Sequence, residues 1–222
     1  MNPLLAGVAL AVVAGAVVAV AARDARTVLL ALAIALVGTP LLAEPIAAPL
    51  GLAARFLGAL LAVYLLWIVV REHPDRGHIG SPTAGSRIGW PAEVLLAGAA
   101  AIVGFGAHGL GAPADGPALA SAAGFALAAL AMAPVLTGRD VIRAGTGLLL
   151  LLDAALLVRT GLGGTLGPVE QLLSAGSLIV VAGVLAALAA TARADGGAGF
   201  TFSAEARKRG RHEPDAHPLD AH

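Results

Sequence analysis

TGRDVIRAGTGLLLLLDAALLVRTG (Thr137–Gly161) begins with the charges Arg139, Asp140 and Arg143 and then turns almost wholly apolar. Asp153 lies inside the apolar run, and Arg159 stands near its far end. As a bilayer span this run must carry one acid, which costs about 2.5–3.5 kcal/mol on insertion scales. Leu148–Leu152, Leu156, Leu157 and Val158 each add a small favourable term, and their sum lets the helix insert despite Asp153. An acid in that position has two ordinary uses. It makes a hydrogen bond or ion pair to a neighbouring helix, or it belongs to a proton or ion path. The stretch leaves both open.

The rest of the chain decides that the run is a span. Hydrophobic residues make up 58% and charged residues 13% of the 222 positions, with a mean hydropathy of +0.87. A soluble domain carries about 25% charged residues, so this chain cannot cover itself with a wet surface. Long apolar stretches recur at the length of about 20 residues that a bilayer crossing needs. The expected fold is all-α: a polytopic membrane protein of about seven transmembrane helices. The spans fall roughly at 3–22, 27–48, 51–70, 91–111, 117–137, 141–160 and 168–192. The second is the weakest, because Pro40, Glu44, Pro45 and Pro49 break its end, so that it kinks or stops early. The transmembrane domain is then 1–192, with a polar loop at 71–90. The tail 193–222 has Gly, Pro, charges and no apolar period, and reads as disordered.

Arginine distribution gives an independent check. With the N-terminus outside, the cytoplasmic segments hold Arg23, Arg26, Arg71, Arg76, Arg87, Arg139, Arg143 and Arg193, and the tail adds Arg207, Lys208, Arg209 and Arg211. Of the 14 basic residues only Arg55 and Arg159 are left on the other side. This is the positive-inside pattern, and it sets the N-terminus outside and the C-terminus in the cytoplasm. A cell-membrane location follows. Ala19-Val-Ala21 resembles a signal-peptide cleavage site, but MNPLL before the apolar run carries no basic residue, which suits an uncleaved first helix.

Several patterns read as packing or as solvated loop. GFGAHGLG (104–111) contains G-x-G-x-x-G, yet a dinucleotide fingerprint needs a strand before it, and here it falls in a span. Ala11, Gly15 and Ala19 form a small-xxx-small stripe on the first helix. His108 is the one histidine expected within the membrane, so a pair of axial haem ligands is missing. The single lysine, Lys208, lies in the tail, which excludes a retinal Schiff base in any span. His73, Asp75 and His78, and likewise His212, Asp215, His217 and His222, could bind a metal, but they lie in polar segments and read as solvated loop. With no cysteine there are no disulfides and no thiolate sites. No cofactor and no resident metal is expected, and no nucleic-acid partner. Trp67 and Trp90 are the candidate interfacial anchors, and the Arg207–Arg211 cluster is a weak candidate for anionic lipid.

The charges near the spans remain. Glu93 is expected at the cytoplasmic interface, and Arg159 can snorkel outward. Glu44 and Glu170 lie near outer ends. Arg55 is about one turn inside the third span, and Asp153 is the deepest, roughly two-thirds of the way across from the cytoplasmic end. The candidates for a proton or ion path are therefore Asp153, Arg55, Glu170 and Glu44. There is no nucleophile–base pair and no HExxH, so no catalytic residue is assigned.

The block GRDVIRAGTGLLLLLDAALL, followed by GPVEQLLSAGSLIVVAGVLAALA, resembles the small membrane subunits of the complex I superfamily. These include the K subunit of proton-pumping NADH–quinone oxidoreductase, the C subunit of multisubunit Na⁺/H⁺ antiporters and the E component of hydrogenase-4. The whole-chain plan, with about seven spans, a polar loop after the third and a charged tail, is most similar to hydrogenase-4 component E. Arg55 occupies the place of a basic residue that component carries near the start of its third span. The first 70 residues resemble, more weakly, the opening of the complex I J subunit. One departure stands out: the glutamate that K-type subunits place in the leucine-rich span falls here at Leu150 or Leu152. Asp153 lands where relatives have an asparagine. A shift of one to three residues turns a side chain by about 100–300°.

The resemblance implies a non-redox subunit of a proton- or cation-translocating complex, with the lipid bilayer and antiporter-like subunits as partners. Asp153 would then line or neighbour a polar axis, with Arg55 as its basic counterpart. Two other readings stay open. One is a structural or assembly protein with no transport role. The other is a small stand-alone transporter, for which the break at Pro40–Pro49 has only Pro134 as a rough counterpart in the second half.

Overall fold

The computed structural model describes residues 3–22, 24–42, 49–71, 90–106, 116–137 and 141–194. These form α1 (Pro3–Ala21), α2 (Ala25–Gly38) with a 3-10 extension (Thr39–Leu42), α3 (Pro49–Arg71), α4 (Trp90–Gly106), α5 (Ala118–Thr137), α6 (Val141–Gly163) and α7 (Pro168–Ala194). No strand occurs among the described residues. Among the described residues, six helices are long and apolar enough to cross a membrane: α1, α2 with its extension, α3, α5, α6 and α7. The 17 residues of α4 rise about 26 Å, a little short of a hydrocarbon core of about 30 Å. The chain is thus an all-α protein of multi-pass membrane character.

Local chemistry sets the helix ends. Pro3, Pro49 and Pro168 each open a helix, where a missing N–H costs nothing. Asp24 caps α2, accepting from the Thr27 N–H at 3.1 Å and from the Thr27 hydroxyl at 3.0 Å. Glu170 reaches back to the Gly167 N–H at 2.9 Å, which is the acidic half of a capping box. Gly164, with φ 77°, ends α6 in the left-handed region that glycine enters freely. The second span behaves as its prolines suggest: α-helix stops at Gly38 and continues as 3-10 through Pro40 to Leu42. Residues 43–48, including Glu44, lie outside the described set, as do 72–89 of the loop, 195–222 of the tail, His108 and all the candidate metal-ligand histidines.

The helices alternate in direction. Gly15 of α1 packs on Ala31 and Ala35 of α2, while Gly38 meets Val12, so the two run antiparallel. Gly104 near the end of α4 lies against Ser121 and Ala122 near the start of α5. Gly161 near the end of α6 packs on the same Ser121. Gly51 and Gly58 of α3 lie against Gln171 and Ala175 of α7, so these two are parallel. The contacts explain the composition: with little hydrophobic drive between helices in lipid, small residues let backbones approach closely. The Ser121 hydroxyl also donates to the Gly104 carbonyl at 2.9 Å. On α1 the packing face is Val12, Gly15, Ala16, Ala19 and Val20. Ala11, expected on that stripe, is exposed.

α5 lies between α4 and α6, α3 lies along α7, and α1 bridges α2 to α5. The 3-10 extension of α2 touches α3, α5 and α6. That is where the buried charges meet.

Candidate functional site

Among the described residues, α6, α3 and the end of α2 place buried polar groups around Asp153. On α6, Thr146, Asp153 and Thr160 are all buried and recur every seven residues, so they face one way within about 40°. Gly147 and Gly161 turn toward α5, and Gly145 turns toward Leu185 of α7. The polar column looks out between those two faces, toward α2 and its extension. Asp153 is 1% exposed. It stands about 15 Å from the Gly163 end of α6 and about 18 Å from the Val141 end. Because α6 continues to Gly163, the acid lies nearer the middle of its helix than the expected span 141–160 implied.

Arg55, 3% exposed, projects from the face of α3 that also carries Gly51, Gly58 and Ala59. Its charge acts on Asp153, although the two make no ion pair within 4.0 Å. Thr39, wholly buried at the start of the 3-10 extension, brings its side chain to Asp153. Its hydroxyl proton, however, goes to the Leu36 carbonyl at 3.0 Å. Both Asp153 oxygens are left without a hydrogen-bond partner among the described residues. The Thr146 and Thr160 hydroxyls are likewise committed locally, to the carbonyls of Ile142 and Leu156, each at 2.8 Å.

Buried polar groups are normally satisfied, and an unsatisfied buried carboxylate is costly. Two states relieve the cost. The acid can be ionised with Arg55 offsetting its charge, or neutral with its proton donated to a neighbour. An acid opposed at a distance by a cation can pass between these states as a proton or water arrives. Leu150, one of the two positions expected for the glutamate of K-type subunits, is fully buried one turn from Asp153. It lies about 60° away around the helix. Leu152, the other position for that glutamate, is half-buried.

Glu170 belongs to a different place. It is half-exposed, pairs with Arg159 at 3.5 Å and caps α7, so both carboxylate oxygens have structural work at one end of the bundle. Arg159 does reach that end, as expected of a long cation. Glu93, in the first turn of α4, is 2% exposed, and both of its carboxylate oxygens lack hydrogen-bond partners among the described residues. Gln171 is buried too; its amide donates to the Leu166 carbonyl at 2.9 Å, while its Oε1 lies against Gly51. Of the four path candidates, the structure therefore groups Asp153 with Arg55, sets Glu170 apart and leaves Glu44 outside the described residues.

Sequence reasoning missed Thr39 and the Thr146–Asp153–Thr160 column. The column was visible as a spacing of seven. Thr39 had a weaker signal as the residue before Pro40 in a helix about to end. No group of three or more potential metal ligands occurs among the described residues. No family model matches the chain, and no characterised protein or solved structure matches it either.

Proposed function

We propose that this chain is a non-redox integral membrane subunit of an ion-translocating complex of the respiratory or hydrogenase type. In this reading seven helices, α4 included, cross the plasma membrane with the N-terminus outside and the C-terminus in the cytoplasm. The chain packs against antiporter-like subunits, and redox chemistry belongs to its partners. The observation that carries the reading is Asp153, buried with neither oxygen hydrogen-bonded among the described residues and facing the charge of Arg55 without touching it. Intramembrane acids held this way are the usual stations of proton and ion paths.

A second reading, a structural or assembly subunit, draws on the closed α5–α6 seam. Gly147 and Gly161 pack tightly against α5 along that seam, the close contact of a helix whose work is packing. Purifying the tagged chain in mild detergent and identifying its companions by mass spectrometry tests the partnership. Large antiporter-like subunits in the eluate are expected, and a chain recovered alone overturns the proposal. Within such a complex, Asp153→Asn should lower ion translocation while leaving assembly intact. A change in the amount of complex at unchanged stoichiometry of pumping favours the structural reading instead.

A further inference from the structure

The exposed side of α3 is graded along its length. Leu57, Leu60, Tyr64, Trp67 and Arg71 recur at spacings of three and four, so they share one face. The four apolar and aromatic members are 66%, 54%, 53% and 40% exposed, and Arg71 is also exposed. The opposite face, with Gly51, Arg55, Gly58 and Ala59, is buried. Over about 21 Å of helix the exposed stripe passes from aliphatic to aromatic to cationic. Tyr64 and Trp67 stack with centroids 6.1 Å apart and planes at 27°. The Arg71 guanidinium lies over the Trp67 ring, 5.1 Å from its centroid.

That contact restrains the guanidinium. Its five N–H donors cannot all turn to the ring at once, and those left over match phosphate oxygens in pairs. Among the described residues no carboxylate lies within 4.0 Å of Arg71 to take those donors. The order of the stripe is the order of groups in a phospholipid: acyl chain, glycerol ester, phosphate.

We propose that Leu57, Leu60, Tyr64, Trp67 and Arg71 form a seat for one anionic phospholipid, with Arg71 holding the phosphate and the aromatic pair flanking the glycerol region. The proposal is independent of the ion-translocation reading and rests only on membrane insertion of α3. Trp67 is its own reporter once Trp90 is replaced. The full chain carrying Trp90→Phe is reconstituted into bilayers of identical leaflet composition, mixing phosphatidylglycerol with phosphatidylcholine and brominating one lipid at a time. Brominated phosphatidylglycerol is expected to quench Trp67 at least twofold more than its mole fraction dictates. The excess should disappear in Arg71→Gln and, for the parent, at high ionic strength. Free inorganic phosphate at millimolar concentration should not remove it. Quenching that follows mole fraction in the parent overturns the seat, and so does an excess that survives both Arg71→Gln and high salt. The salt titration needs no variant at Arg71, so it decides even where Arg71→Gln fails to fold.

Discussion

Replacing Asp153 by leucine leaves the guanidinium of Arg55, 3% exposed, without the opposing charge that acts on it. Breaking a buried pair from one side commonly costs about 3–5 kcal/mol, whereas replacing both members with apolar side chains is near neutral or stabilising. The geometry bounds the effect here. Two unit charges 4 Å apart interact by about 4 kcal/mol at an effective dielectric constant of about 20. Arg55 and Asp153 are farther apart than an ion pair within 4.0 Å, so their coupling lies below that figure. Asp153→Leu and Arg55→Leu should each lower stability, and the double variant should recover about 1–4 kcal/mol relative to the sum of the singles. Reversible unfolding in mixed micelles measures this directly. At this chain length each kcal/mol corresponds to about 2–4 °C in Tm. Single effects that add within about 0.5 kcal/mol would refute the idea that the two charges hold one another.

Three further outcomes follow from the packing and the caps. A Cβ at Gly124 would meet the Val158 backbone nitrogen at 2.8 Å; Gly124→Leu should destabilise by at least about 1–3 kcal/mol, while Gly176→Leu, into open space, should change the Tm of the isolated chain by no more than a degree or two. Slight burial raises the pKa of Asp24, but hydrogen bonds from Thr27 and Arg26 and the Arg26 charge outweigh it and hold the carboxyl below 3.8. A folded pKa below the unfolded one means a contribution that is complete above the unfolded value and lost as the pH falls through the folded value. Asp24→Ala should therefore cost about 1 kcal/mol at neutral pH, with the difference from the parent shrinking below about pH 4 in thermal melts. Glu170→Gln keeps an oxygen for the Gly167 N–H and loses only a half-exposed ion pair. Its cost should stay under about 1 kcal/mol and fade in high salt, whereas Glu170→Leu should lose the cap as well and stay less stable in high salt.

Much of the fold was legible because the physics involved is local. An apolar run long enough to cross a bilayer, with proline at its start, becomes a helix whatever surrounds it. The run at Leu148–Leu152 announced both α6 and the anomaly of its acid. Glu170, read in the sequence only as an acid near an outer end, had a local signal of its capping role that went unread, three residues after Gly167. What could not be read was pairing between distant helices. That α3 lies along α7, with Gly58 against Ala175, follows from shape complementarity that no single segment encodes. The same limit hid the burial of Glu93, because nothing in the first turn of α4 encodes what covers it. Thr39 required both kinds of knowledge: where α2 stops, and which helix its last turn meets.

The end of α2 has one more consequence. The Thr39 hydroxyl holds a single proton, and two acceptors are within its compass: the Leu36 carbonyl it now serves and the carboxyl group of Asp153 beside it. It cannot satisfy both. A full negative charge on the acid draws that proton more strongly than a backbone carbonyl does, while a neutral acid leaves the bond to Leu36 in place. Because one hydroxyl ties down the last turn of α2 and borders an acid on α6, removing it would alter both helices at once.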